Sequence, residues 1–400
     1  MHLTSKNCER LLTSNILPFW MDKMVDPING GFYGRIDGKG QLHSDAPKAI
    51  ILNTRILWTF SAAFKQFGDI AYKDTATRAF DYLNNHFIDT AFNGVYWMLN
   101  KDGSVLESKK QIYAQAFAIY ALSEFYSATG NETALEQAVS MYACIEKFSF
   151  DRLKNGYLEA FDREWKLLAD LRLSDKDANE AKTMNTHLHV LEAYTRLYQV
   201  WPDHNLGNQL GNLVNLFLNT FIGDSYHFHL FFDEDWHLKS SICSYGHDIE
   251  GGWLLYKAAQ VLENSLLIDK CKVAAIGLTE AALKGFDQEG GLMYEGTRAK
   301  VEITDRHWWP QAETLVGLIN AFEISGEPKY FKIAERNWEF INEKLVDPQG
   351  EWHGIVRQDG SYDLSEDKAG PWKAPYHNGR AMLELMERLN TKDISRDTIT

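Results

Sequence analysis

GGFYGRIDGKG (30–40), NGVYWMLNKDGS (93–104), NGYLEAFDREWK (155–166), SYHFHLFFDEDWH (225–237), GGLMYEG (290–296) and GEWHGIVRQDGS (350–361) are variants of one segment. Each combines a turn signal with aromatic residues in partial alternation, which reads as a short strand pair or an extended loop. They return at intervals of roughly sixty residues, the period of a repeated supersecondary unit.

Helical sequence fills the intervals. IYAQAFAIYALSEFYSA puts Ile112, Ala116, Ile119, Tyr120 and Phe125 near one face, and THLHVLEAYTRLYQVW does so with Leu188, Leu191, Tyr194, Leu197 and Tyr198. AETLVGLINAFEIS and GRAMLELMERL are similar. SATGN and ISGEP supply glycines suited to left-handed caps at helix ends. GWLLYKAAQVL and ETLVGLINAF are apolar nearly all round, as helices buried in an inner layer would be. Six loops, each followed by about two helices, therefore predict six helical hairpins. Closed, they form an all-α (α/α)6 barrel with short β-hairpin loops at one end; open, they form a helical solenoid. No linker rich in Pro, Gly or Ser divides the chain, so residues 1–400 are expected to form one domain.

Composition narrows the function. The chain is 45% hydrophobic and 24% charged, the profile of a globular protein with a sizeable core. A formal charge of −14 without a Lys/Arg run argues against nucleic acid. No stretch approaches a membrane span, and MHLTSKNCERLL lacks the apolar centre of a signal peptide. Cys8, Cys144, Cys243 and Cys271 are scattered, which suggests reduced thiols and a cytoplasmic protein, monomeric or weakly dimeric. Aromatic residues make up 13% of the chain, enough to serve both a large core and the stacking faces of a sugar site.

Several segments carry candidate chemistry. In NTHLH, Asn185 and His189 lie four apart and share a helical face, while His187 points elsewhere and reads as packing or capping. In SYGHDIEGGW, His247 and Glu250 lie three apart; a carboxylate there would orient an imidazole for acid–base work, or merely sit at a helix start. KAPYHNGRAMLE places His377 in a stiff approach to the last helix, with Trp372 five residues before it. In DRHWWPQAE, Trp308 and Trp309 are flanked by Arg306, His307, Gln311 and Glu313, which suggests a polar aromatic cleft. Arg55 sits in the apolar stretch NTRILW, where a buried guanidinium either ties helices together or steadies a substrate oxyanion. A metal reading is weak, because the helical H-E-x-x-H spacing and any Cys pair are missing. Several imidazoles, one Arg and aromatics at matching places suit proton transfer at a carbon beside a carbonyl: a base on one face, an acid on the other, a cation over the oxygen.

GGFYGRIDGKG, NTRILW, YAQAF, MNTHLHVLEAYT, SYGHDIEGGWLL, HWWPQAE and PWKAPYHNGRAMLE occur in this order over nearly the whole chain. In that ordered set the chain resembles the cellobiose 2-epimerases, members of the N-acylglucosamine 2-epimerase superfamily. The resemblance implies the (α/α)6 barrel and epimerisation at C2 of the reducing-end glucose of a β-1,4-linked disaccharide through a cis-enediolate, without metal or other cofactor. By position it implies His247 and His377 as the acid/base pair, His189 as an aid to ring opening, and Glu250 as the orienter of His247. It further implies Arg55, Tyr113 and Asn185 around O1 and O2, and Trp309 and Trp372 stacked on sugar rings with Tyr294 and Glu295 nearby. An aldose–ketose isomerase and a mannobiose 2-epimerase are close alternatives. A glycoside hydrolase would need two carboxylates flanking the glycosidic bond, and a non-catalytic sugar-binding protein would not need the imidazoles.

Overall fold

The computed structural model describes residues 2–174 and 177–391. It shows a closed double ring of helices. The inner ring runs α3 (Ile50–Phe67), α5 (Ile112–Thr129), α7 (Met184–Val200), α9 (Tyr245–Val261), α11 (Trp308–Ser325) and α13 (Tyr376–Thr391). The outer ring holds α4 (Ile70–Tyr82), α6 (Glu132–Cys144), α8 (His204–Leu216), α10 (Ser265–Ala282) and α12 (Pro328–Phe340). Its sixth place is taken by the chain start, where α1 (Ser5–Leu11) and α2 (Leu17–Lys23) are joined through a single π-helical turn. α1 packs on α13, and α13 packs on α3, so the last hairpin is assembled from both ends of the chain. The expected six hairpins are present and closed, but the first helix precedes its loop rather than following it.

Layering follows from composition. α5 buries every residue from Ile112 to Phe125, as an inner helix covered on all sides must. α12 buries only Tyr330, Phe331, Ala334, Asn337, Trp338 and Phe340, one face at helical spacing. α5 and α11 end at Gly130 and Gly326, each at φ 71° in a left-handed cap, as SATGN and ISGEP predict. Asp69, Asn131, Asp203 and Asn264 accept backbone N–H bonds at the starts of four outer helices.

The glycine–aromatic segments form one end of the barrel. Each opens with a tight reversal closed by a single bridge: Val25–Phe32, Ile88–Val95, Phe150–Tyr157, Ile222–Phe228, Phe286–Leu292 and Val346–Trp352. Asn93–Gly94 and Asn155–Gly156 make two of these reversals at positive φ, a conformation that asparagine and glycine tolerate best. Each segment then pairs with the residues that lead into the preceding inner helix. Met98–Leu99 pairs with Lys48–Ala49, Ala160–Phe161 with Lys110–Gln111, and Phe231–Phe232 with Lys182–Thr183. Glu295–Gly296 pairs with Cys243–Ser244, and Ile355–Val356 with Arg306–His307. A bridge between Ile36 and Ala369 completes the circle. Five inner helices therefore start directly from a hydrogen-bonded rung at this end, and α13 follows the Ile36–Ala369 bridge by seven residues.

Buried ion pairs reinforce the rungs. Lys48 meets Asp26, Lys110 meets Asp89 and Lys182 meets Asp151, at 2.8, 3.0 and 2.9 Å. All three lysines are buried. The four cysteines are buried and free, and no helix among the described residues is long and apolar enough to cross a membrane.

Candidate active site

The first two turns of the inner helices carry the candidate residues. Arg55 lies in the second turn of α3, and Tyr113 in the first turn of α5. Asn185 and His189 come from α7, His247 and Glu250 from α9, Trp309 and Glu313 from α11, His377 and Arg380 from α13. Because these helices start at the hairpin end, the side chains converge on one end of the barrel interior.

His377 is 5% exposed, and its Nδ1 lies 2.6 Å from Glu313 Oε1. Its Nδ1–H donates to the carboxylate, which leaves Nε2 as the basic nitrogen. His247 is half-buried, with Nδ1 2.8 Å from the Ser244 hydroxyl. Trp309 neighbours both, its ring centroid 4.8 Å from that of His247 and 5.6 Å from that of His377. A Cβ at Gly246 would approach the Trp309 ring to 2.6 Å, so the glycine lets the indole lie against α9. His189 donates from Nδ1 to Glu192 at 3.0 Å and packs edge-on to Tyr113 at 4.9 Å.

Burial pushes both His247 and His377 down to about 3. For His247 the neighbouring His189 adds to the effect. Glu313 and its hydrogen bond work against the shift at His377 without overcoming it. Both imidazoles are neutral near pH 7 and free to accept a proton. Burial also lowers His189, although its bond to Glu192 opposes this.

Arg55 donates to the Trp372 carbonyl at 2.7 Å and to the Tyr113 hydroxyl at 2.9 Å, with its guanidinium over Phe117 and Tyr376. Among the described residues its Nε has no hydrogen-bond partner, and neither does the buried Oδ1 of Asn185. Buried polar atoms without partners are rare, and here they are groups that a sugar's hydroxyls would satisfy. Trp372 is 40% exposed, with its ring 5.9 Å from Trp97 and 6.1 Å from Tyr113. Tyr294 stacks on His307 at 3.8 Å and reaches Trp309 edge-on at 6.3 Å. Glu295 sits on the strand beside Ser244.

Two sequence expectations need correction. Glu250 does not orient His247: Ser244 holds that imidazole, while Glu250 lies one turn deeper and accepts from Arg380 at 2.8 Å. Nor do all the residues flanking the Trp pair line a cleft. Gln311 spends its amide on the Leu292 backbone, and Arg306 pairs with Glu289. His187 has the structural role expected of it, bonding the Thr183 carbonyl and the Tyr157 N–H. Gln115 holds Val95, and Asp248 holds Phe228, from the same place in their own helices.

Sequence reasoning missed the groups beneath the imidazoles. Arg380, 1% exposed, contacts Glu192 and the Tyr376 hydroxyl through Nη1. Through Nη2 it reaches Glu250 at 2.8 Å and Glu313 at 2.6 Å. Burial works against the Glu313 carboxylate, but Arg380 and His377 hold it below the usual range. Burial and the charge on Glu313 push Glu250 well up. Glu250, Glu313 and His377 bring donor atoms within 4.8 Å of one another, a spacing that could hold a metal ion. The Arg380 nitrogen shared by both carboxylates already supplies positive charge at that point.

Comparison with known proteins identifies the family. The N-acylglucosamine 2-epimerase (GlcNAc 2-epimerase) family model matches residues 31–381. A cellobiose 2-epimerase of Bacteroides fragilis is 51% identical over 387 residues, covering 96% of this chain and 99% of that protein. The chain belongs to the N-acylglucosamine 2-epimerase family. Within the family, a cellobiose 2-epimerase of Ruminococcus albus is 38% identical, with 94% of this chain and 97% of that protein covered. The structure of cellobiose 2-epimerase from Bacillus thermoamylovorans superimposes with a TM-score of 0.91 at 38% identity, covering 96% of this chain and 99% of that one. Family membership makes the chain a carbohydrate epimerase, an isomerase by reaction class, and the closed helical double ring is the fold of its relatives.

Proposed function

We propose that this protein inverts C2 of the reducing-end glucose of cellobiose, giving 4-O-β-D-glucosyl-D-mannose, and treats lactose in the same way. The observation that carries this reading is the pair of imidazoles, His247 and His377, gathered against the one indole of Trp309. After ring opening, assisted by His189, one imidazole takes the C2 proton, the C2–H electrons form the C1=C2 bond, and the C1=O π electrons move onto O1. The cis-enediolate rests against Arg55, Tyr113 and Asn185. Its negative charge favours uptake of a solvent proton by the second imidazole, which passes it to the opposite face of C2 as the C1=O bond re-forms, and the first imidazolium releases its proton to solvent. The reaction is redox-neutral, and the two histidines exchange roles in the reverse direction. Trp309 and Trp372 stack on the sugar units, with Tyr294 and Glu295 at the edge.

Hydrolysis suits the site less well. Glu250 and Glu313 are bound to one guanidinium nitrogen beneath the imidazoles, whereas glycoside cleavage needs carboxylates on both sides of the scissile bond. Four buried thiols support a reducing, cytoplasmic setting. We read the chain as one catalytic domain over 1–400, of which residues 1, 175–176 and 392–400 lie outside the described part, working as a monomer or weak dimer on a disaccharide, apart from nucleic acid and membranes.

Proton NMR of the purified protein with cellobiose in D2O and EDTA tests the proposal. Mannose-type anomeric signals with deuterium at C2 are expected. Ketose signals as the main product would instead make the enzyme an isomerase, and free glucose would make it a hydrolase. H247N and H377N should each reduce turnover by roughly 10²–10⁴-fold while sugar binding persists.

A further inference from the structure

We infer that Arg380 is a positioning residue: through the carboxylates of Glu192 and Glu313, it sets the imidazoles of His189 and His377 for the proton transfers at the sugar. This inference rests on the epimerase reading of the site and extends it to a residue buried below the cavity.

The connections are continuous. Glu192 meets Arg380 with Oε1 and His189 with Oε2. Glu313 meets both Arg380 and His377 with Oε1, and its Oε2 accepts from the Trp253 indole at 3.0 Å. Arg380 is in turn held flat, with its Cζ 4.7 Å from the Trp253 ring centroid and 4.3 Å from that of Tyr376. Each imidazole thus gives its Nδ1–H to a carboxylate that cannot turn, and that fixes which nitrogen faces the substrate. His247 has no such support, since its Nδ1 meets a serine hydroxyl that can either donate or accept.

Charge and shape both require an arginine here. Glu192 and Glu313 meet this one cation as carboxylates, with the Glu250 carboxyl beside them, and either carboxylate left without it would bind a proton or turn away. The planar fork serves Glu192 from one nitrogen and Glu250 with Glu313 from the other. A lysine ammonium keeps the charge but cannot hold both directions at once. The guanidinium charge also opposes protonation of both imidazoles. Removing it therefore has two separable effects: loss of aim, and easier protonation.

The test compares R380K and R380M with the wild type in melting temperature, kcat, KM and the pH profile of kcat/KM. Histidine ring ¹H–¹⁵N spectra, which need no turnover, report the tautomers. R380K is expected to fold and to keep KM within about threefold, while kcat falls by about 10–100-fold. Its acidic limb should stay in place. R380M should lose more and move the acidic limb to higher pH. In both variants the Nδ1–H signals of His189 and His377 should shift or split, while that of His187, held by Thr183 and Tyr157, stays fixed. If R380M does not fold, R380K carries the test. Unchanged ring spectra, or a loss confined to melting temperature and KM, would overturn the inference. A wild type that leaves cellobiose untouched would refute the epimerase reading, and the ring spectra would still decide the role of Arg380.

Discussion

Glu313 Oε1 lies 2.6 Å from His377 Nδ1, a carboxylate-backed imidazole contributed by two neighbouring inner helices. The other imidazole beside Trp309 has a different backing, since His247 leans on the Ser244 hydroxyl. A carboxylate stabilises the imidazolium that forms when a proton is taken, and it locks the tautomer. A hydroxyl locks neither charge nor tautomer. On the proposed mechanism both histidines exchange a proton with the same carbon, and their unlike backing suits them to unequal demands.

Glu313→Gln should therefore harm turnover more than Ser244→Ala. The amide keeps most of the packing but cannot stabilise a charged imidazole. We expect kcat to fall by roughly 10²-fold or more in E313Q and by about tenfold in S244A, with small changes in KM. Parallel kinetics of cellobiose epimerisation check the order. An S244A loss equal to that of E313Q would remove the asymmetry.

Gly246→Ala probes the approach of Trp309 to α9. The added methyl would meet the indole at 2.6 Å, so the ring must move. Overpacking of this kind costs about 1–3 kcal/mol. Since Trp309 also lies against His247 and His377, KM for cellobiose should rise several-fold with only a modest drop in melting temperature. A crystal structure of the variant would show the indole displaced.

What the sequence revealed and what it hid have the same physical origin. Turns repeat because each hairpin end needs left-handed or glycine backbone, so the glycine–aromatic segments announced six units. Residues at helix starts were legible because they break an apolar pattern at its edge. The pairing of α1 with α13 left no local mark, because it joins chain ends that are remote in sequence. Glu192 and Arg380 each follow a histidine by three positions, as Glu250 does. That spacing brought His189 and Glu192 together but not His247 and Glu250, because the serine before α9 and the cation on α13 were the better partners. Helical spacing limits which residues can meet, and the neighbouring helices decide which do.

Trp372→Ala should act on binding alone. The indole is exposed, and the contact of its residue with Arg55 uses the backbone carbonyl, which survives the change. Losing an aromatic platform costs about 1–2 kcal/mol, close to a tenfold rise in KM for cellobiose. kcat and melting temperature should stay near wild type. A collapse of kcat instead would mean that the loop, and not the ring, carries the effect.

Glu159 gives a pH prediction away from the chemistry. This carboxyl is buried beside the start of α7, where it accepts from the Thr183 N–H at 2.8 Å and meets the Thr186 hydroxyl at 2.5 Å. Burial raises it to about 8, and the threonine bonds only partly offset the shift. In the unfolded chain it titrates near 4.5. Between these values the folded protein binds more protons than the unfolded one, so stability from this group is complete below about pH 4.5 and is lost as pH rises through 8. Glu159→Gln removes the titration, and its amide can still accept from Thr183 and donate to Thr186. The variant should match wild type in melting temperature at pH 5 and exceed it by several degrees at pH 9. Thermal melts across that range check the sign, and a variant that melts lower at pH 9 would show that the carboxylate is instead favoured by its threonines.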